Sequence, residues 1–273
     1  MDASELCAFL RSRAEGDLLP LEAQSDAVRR SGKSFAEVEG AALESGLLPL
    51  RYRRNRQTLS TDDQLRLFRS RVAVIGCGGL GGYIIEEAAR AGVGTLVLVD
   101  PDVFEEHNLN RQLLSSVDGL GRPKVDAGRE RVACINPAVT VVTHRAALSE
   151  ENGRQLLAGS SAVVDALDSI DTRRALSSIC RELEVPLVHG AIAGWYGQVT
   201  VQMPGKDLSA LLGSGRGKGV EQKLGNPSFT PAAIASLQAA ELVKVLLGRG
   251  TPLAGRALLV NLLDMEFERL RYE

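Results

Sequence analysis

The 273-residue chain contains no C-x-x-C pair, and its four cysteines, Cys7, Cys77, Cys134 and Cys180, lie far apart. That spacing supplies no ligand set for a structural zinc site, so no zinc is expected. Each thiol reads first as a small apolar group, with Cys77 alone placed inside a glycine turn. Net charge is nearly absent as well: 32 Lys and Arg against 34 Asp and Glu leave a formal charge of -2. No global positive field draws such a chain to anionic lipid or nucleic acid, so neither a membrane nor a nucleic acid is an expected partner. No apolar run approaches the length of a membrane span, and the N-terminus carries acids where a signal peptide carries bases. The expected location is the cytoplasm. Internal repeats are also missing, which excludes solenoid and propeller architectures.

What is present suits a folded enzyme-sized domain. Hydrophobic residues make up 44% of the chain and charged residues 24%, and a chain this long buries about three quarters of its unfolded surface. The first fifty residues form a separate helical segment, with breaks at Gly16, Pro20 and Gly32 and a capping-box pattern at Ser34-Phe-Ala-Glu37. Residues 51–56, five of six basic or aromatic, read as a solvated linker. A short helix over 61–68 follows, with Thr61 as its expected N-cap.

From residue 71 the periodicity becomes that of a βαβ unit. An apolar strand over 72–75 enters the turn Gly76-Cys-Gly-Gly-Leu-Gly81, a helix runs over 80–91, and a second strand over 95–99 ends at Asp100. Gly76, Gly78 and Gly81 have the G-x-G-x-x-G spacing: the first permits the tight turn, the second a close backbone approach to phosphate, the third close packing of helix on strand. The amides at the helix start then form an anion site. Further strands are expected over 139–143, 162–166 and 186–188, alternating with helices over 125–135, 150–157 and 172–183. This predicts a doubly wound, mainly parallel α/β sheet. After His189 the pattern changes. Residues 197–203 read as an antiparallel strand, 205–228 as a Gly-rich basic loop around Arg216 and Lys218, 229–247 as a helix and 257–263 as the last strand.

Asp100 and Asp168 follow two different strands, while Asn108, Arg111, Gln112 and Lys124 come from the connections between them. In an open α/β sheet that edge forms the ligand crevice. These four cationic or amide donors suit a polyphosphate, and an acid among them suits Mg²⁺. Hydride transfer from a bound dinucleotide needs less charge, so ATP is favoured over an NAD-dependent oxidoreductase, which the glycines alone would allow. His107, His144 and His189 are read as structural, leaving no candidate histidine base.

Asn108-Leu-Asn-Arg111-Gln112, with the glycine turn before it and Arg122-Pro-Lys124 after it, resembles the adenylating domain of the ubiquitin-activating-enzyme superfamily. The bacterial ThiF, MoeB and HesA proteins are the nearest type. Similar also are Ile135-Asn-Pro137, Asp165-Ala-Leu-Asp168 with Arg173, Gly197-Gln-Val, and Ser236-Leu-Gln with Glu241. The likeness spans about residues 53 to 267, so the expected division is a helical segment over 1–50 and an adenylation domain over 51–273, Rossmann-like and extended by antiparallel strands. It implies ATP and Mg²⁺ as cofactors, and as partner a small ubiquitin-fold sulfur carrier ending in Gly-Gly. The carrier would serve molybdopterin-type (molybdenum or tungsten) cofactor or thiamine synthesis. By the same resemblance Gly76, Gly78, Gly79 and Gly81 would cradle phosphate, Asp100 would hold the ribose with support from Asn108, and Arg111 and Lys124 would bind phosphates with Gln112 assisting. Asp168 would hold Mg²⁺, and Arg56 would reach the ATP of the other subunit of a homodimer.

Departures from the family pattern are specific. No cysteine follows Cys180, so the thioester-forming or persulfide-forming cysteine is missing and adenylation would be the only step. Ser169 stands where Asn is common, and Arg54 where Tyr is common. A tRNA-base or peptide carboxylate is the alternative acceptor.

Overall fold

A computed structural model of the chain describes residues 1–212 and 221–272. Among these the strands are β1 (Leu18–Leu19), β2 (Leu48–Pro49), β3 (Arg71–Ile75), β4 (Thr95–Val99), β5 (Thr140–His144), β6 (Ala162–Asp165), β7 (Leu187–Ala193), β8 (Tyr196–Gln202), β9 (Arg256–Asn261) and β10 (Glu266–Arg271). The last eight form one sheet in the order β10-β9-β8-β7-β6-β3-β4-β5. β5, β4, β3, β6 and β7 are parallel, and β8, β9 and β10 extend them antiparallel.

Val72 to Ile75 and Leu96 to Val99 are buried on both faces, as the absence of polar alternation in these strands requires. Val72, Val74, Leu96 and Leu98 pack on one side, against α5 (Gly79–Ala91), α6 (Lys124–Ile135) and α11 (Phe229–Leu247). Ala73, Ile75, Val97 and Val99 pack on the other, against α7 (Glu150–Leu157) and α8 (Ile170–Glu182). Two-residue alternation within each strand therefore feeds two helical layers. The chain leaves β3 toward β4 and β5, then returns to its other side as β6 and β7. That reversal opens a crevice at the carboxyl ends of β3 and β6.

The N-terminal segment comprises α1 (Ala3–Ser12), α2 (Leu21–Ser31) and α3 (Phe35–Glu44), with its own apolar cluster of Leu6, Leu10, Leu19, Ala23, Ala27 and Val38. Residues 50–55 are not a linker. They form a 3₁₀ turn in which Arg51 pairs with buried Glu39 and donates to Gln24 at 3.1 Å. The Tyr52 hydroxyl donates to Glu39 Oε1 at 2.8 Å and accepts from Asn136 Nδ2 at 2.8 Å. The run of arginines hides this because the acid that binds Arg51 lies a helix away in sequence.

Other differences have local causes. Ser60, not Thr61, caps α4 (Thr61–Phe68), its Oγ accepting from Asp63 N at 3.1 Å while Asp63 Oδ2 accepts from Ser60 N at 2.9 Å. The segment over 186–188 lengthens to β7 because β8 pairs along all of it, down to Ala193↔Tyr196. β10 was unexpected: every residue in Glu-Phe-Glu-Arg-Leu-Arg is exposed, so an edge strand with one neighbour lacks the buried alternation that marks a strand. The short pair β1–β2 is likewise too brief to read. α11 corrects the expectation about apolar runs, since its 19 residues are long and apolar enough to cross a membrane by composition, with half of that window buried. Gly213, Arg216 and Lys218, singled out in the Gly-rich loop, lie outside the described residues. The flanking stretches form α9 (Ser209–Leu212) and α10 (Glu221–Leu224).

Candidate active site

β3 delivers the chain into Gly76 at φ +94°, where a Cβ would stand 2.5 Å from Ala166 O. Only glycine fits. At Gly81 an added Cβ would lie 1.9 Å from Gly76 O, so the first turn of α5 packs directly on the strand end. Gly78 is the N-cap of α5 and no side chain caps that helix. Its first-turn amides are thus left for a ligand, with the helix dipole behind them.

Asp100, buried at the end of β4, accepts from Cys77 N at 2.7 Å and from Asp102 N at 2.8 Å. Burial raises its carboxyl, and those amides together with Lys124 pull the other way. The acid thereby pins the glycine turn to β4. Lys124 opens α6, is buried, and places Nζ 3.0 Å from Asp102 Oδ2. Arg111 donates from Nη1 to His107 O at 3.0 Å and to Asn110 Oδ1 at 2.8 Å. Burial lowers its affinity for its proton, opposed by the charge of Asp168. The Gln112 amide sits beside Gly78, and its buried Oε1 has no partner among the described residues.

Asp168 stands on the loop after β6. Ala166 N donates to Ile75 O at 2.9 Å, Asp165 accepts from Leu167 N at 2.9 Å, and Arg173 donates to Leu167 O. Behind the loop, fully buried Asp165 faces His189 Nδ1 at 2.6 Å, and the Nε2 atoms of His189 and Gln198 are 3.3 Å apart. Burial raises the Asp165 carboxyl, but Arg173, His189 and the Leu167 amide outweigh it and hold it below the ordinary range.

These elements enclose one cavity of about 520 Å³, whose wall includes Gly76, Gly78, Gly79, Asp100, Arg111, Gln112, Lys124 and Asp168. Three anticipated residues are elsewhere. Gly81 packs beneath the turn. Asn108 is buried behind the wall, with Oδ1 accepting from Glu105 N at 3.0 Å. Arg56 lies outside, with Nη1 2.9 Å from Asp17 Oδ1. Residues not anticipated also line the cavity: Asp102, Leu148 and Asn226. Asp102 follows Asp100 by two in the same turn, and Leu148 follows β5, so their positions past strand ends were the available signal. No histidine lines the cavity. Burial raises both the Cys77 thiol and the Cys180 thiol, the latter to about 12, which disfavours thiolate chemistry at either.

The donor set fits a nucleotide triphosphate: open helix amides, the Arg111 guanidinium, the Lys124 ammonium and the Gln112 side-chain NH2 beside Gly78. Among the described residues no group of three or more His, Cys, Asp or Glu converges on a metal position. A single carboxylate, Asp168, fits an Mg²⁺ held largely by phosphate oxygens and water.

A glycine turn at the switch point of a doubly wound sheet, facing Arg111, Lys124 and Asp168, marks a Rossmann-like α/β protein. The ThiF family matches residues 52–273, and the chain belongs to that family. The SAMP-activating enzyme E1 of Haloferax volcanii is 39% identical over 215 residues, covering 77% of this chain and 80% of that protein. The molybdopterin-synthase adenylyltransferase of Salmonella typhimurium is 35% identical over 232 residues, covering 81% and 92%. Among solved structures, Escherichia coli MccB with ATP shares the fold at a TM-score of 0.72 and 19% identity, covering 91% of this chain and 82% of that one.

Proposed function

We propose that the chain is an adenylyltransferase that activates the C-terminal Gly-Gly carboxylate of a small ubiquitin-fold sulfur carrier with ATP and Mg²⁺. The pathway is synthesis of a molybdopterin-type cofactor or of thiamine, and the setting is the cytoplasm. Residues 51–273 act as the adenylation domain, with residues 1–50 as an added helical segment. The observation that carries the reading is the convergence of Arg111, Lys124 and Asp168 on the open start of α5 in one cavity.

A terminal carboxyl has a pKa of ~3.5, so it arrives ionised and needs no general base. That suits a cavity wall without histidine. The difficulty is electrostatic, because an anion must approach the α-phosphate of a polyanion. Lys124 and Arg111 offset the charge of the triphosphate and of the departing pyrophosphate, with the α5 amides as fixed dipoles. Asp100 accepts from the ribose hydroxyls, and Gln112 orients the nucleotide from beside Gly78. Asp168 would hold Mg²⁺, which supplies Lewis-acid stabilisation of phosphate oxygens. In a homodimer, Arg56 of one subunit would exchange Asp17 for the nucleotide of the other.

Carrier-dependent ATP–pyrophosphate exchange tests the reading. Asp168→Ala is expected to lower it by at least about a hundredfold while leaving thermal stability near that of the parent. Unchanged exchange in this variant would remove Asp168 from the mechanism.

A further inference from the structure

The nucleotide cavity has a neighbour. A second cavity, of about 440 Å³, lies over the antiparallel end of the sheet and shares Arg173 and Ile192 with the first. Its floor consists of two straight cross-strand rows. Ala191, Gln198, Leu259 and Glu268 are directly paired from β7 to β10, and so are Ala193, Tyr196, Asn261 and Glu266. Directly paired residues share a face, so each row runs from a small apolar side chain to a glutamate. All eight line the cavity.

The unbalanced charge of the groove lies at its outer end. Arg173, nine-tenths buried, sits at the inner end, in the wall common to both cavities, where its charge is met by Asp165, with Nε 3.6 Å from Asp165 Oδ2. Glu266 and Glu268 sit at the outer end on the exposed edge strand. Neither pairs with a cation among the described residues. Their neighbours Arg269 and Arg271 alternate onto the opposite face of the strand. An occupant complementary to these carboxylates carries a positive charge at the outer end of the groove.

We infer that Glu266 and Glu268 are specificity residues, selecting carriers whose C-terminal segment bears a Lys or Arg a few residues before the terminal glycines. The inference rests on the adenylation reading for the identity of the occupant. Three strand spacings of about 4.8 Å separate β7 from β10, a span of about 14 Å. An extended segment covers that distance in about four residues. A cationic side chain about four to six residues before the terminus therefore meets the paired carboxylates as the terminal carboxylate passes Arg173. The floor beneath the final residues is Ala191 and Ala193, whose small side chains admit a backbone close to the strand.

Short fluorescein-labelled peptides ending in Gly-Gly, each with one Arg or one Glu at successive positions before the glycines, provide the test. Affinity for the full chain is read by anisotropy with ATP present, and pyrophosphate exchange is read in parallel. The Arg peptides in the expected window should bind about fivefold tighter than their Glu counterparts, the scale of one partly exposed ion pair. The double variant Glu266→Gln with Glu268→Gln should remove that preference, and Glu266→Lys with Glu268→Lys should reverse it. Absence of peptide binding, no charge preference in the parent, or a preference that survives the lysine variant would each overturn the assignment. Charge-selective binding without exchange would instead overturn the adenylation reading and leave the groove assignment standing.

Discussion

Replacing Tyr52 by Phe deletes one oxygen shared by three distant parts of the chain. That hydroxyl is buried, donates to Glu39 on α3 and accepts from Asn136 at the end of α6. Asn136 keeps its second bond, to Ala89 O at 2.9 Å, and Glu39 keeps Arg51. The main loss is a buried hydrogen bond to a carboxylate, which costs about 2 kcal/mol. For a chain of this length that lowers the melting temperature by roughly 5 °C, measurable by circular dichroism or calorimetry. The deficit also depends on pH. Burial raises the Glu39 carboxyl above its ordinary value, against the pull of Arg51 and Tyr52. A carboxyl raised in the folded state binds its proton more tightly there than in the unfolded chain, so its contribution to stability grows as pH falls through the raised value. Removing the Tyr52 donor raises that value further, and the variant gains more from acidification. Its deficit should therefore narrow as pH falls from the variant's further-raised Glu39 value to the parent's raised value, and stay constant below that. An unchanged melting temperature would refute the assignment of the hydroxyl as a tie between segment and sheet. Two-step melting in which only the first step moves would refute it too, by showing that residues 1–50 unfold alone.

Three further substitutions test the frame around the first cavity. Gly81→Ala puts a Cβ 1.9 Å from Gly76 O, a backbone atom that cannot yield alone. It should cost about 1–3 kcal/mol by overpacking and weaken ATP binding by calorimetry, whereas Gly79→Ala meets only Pro231 Cβ at 3.6 Å and should melt near the parent. Asp165→Asn leaves Arg173 and His189 without their buried anion and should cost about 3–5 kcal/mol near neutral pH. Because the folded Asp165 carboxyl is held low, its stabilisation is present above the ordinary aspartate range and is lost as pH falls through the depressed value. The gap between parent and variant in urea midpoint should close on that acid side, and a pH-independent gap would contradict the ion-pair account.

The parallel core was legible because its strands are short, doubly buried and flanked by helices of full amphipathic length. The glycine turn was legible for a related reason. Gly76 and Gly81 are constrained by backbone only a few residues away, so their spacing carries the geometry. Edge elements were not. β10 has one partner and two solvated faces, and nothing in Glu-Phe-Glu-Arg-Leu-Arg distinguishes it from a loop. Arg51 looked solvated because Glu39, which holds it, belongs to another helix. Asn108 carried the expected motif, yet its side chain closes a local turn rather than facing the cavity.

By itself, then, the sequence determined the glycine turn, the succession of the parallel strands and their helices, and most of the charged residues that line the cavity. Each of these depends on contacts between near neighbours or on periodicity within one element. The tertiary structure alone decided which charges meet: Arg111 with Asp168 across the cavity, Asp165 with buried His189, and two glutamates at the ends of rows that cross four strands. Those meetings depend on sheet order and register. Strand order and register are set by packing over the whole core, and no short stretch of chain encodes them.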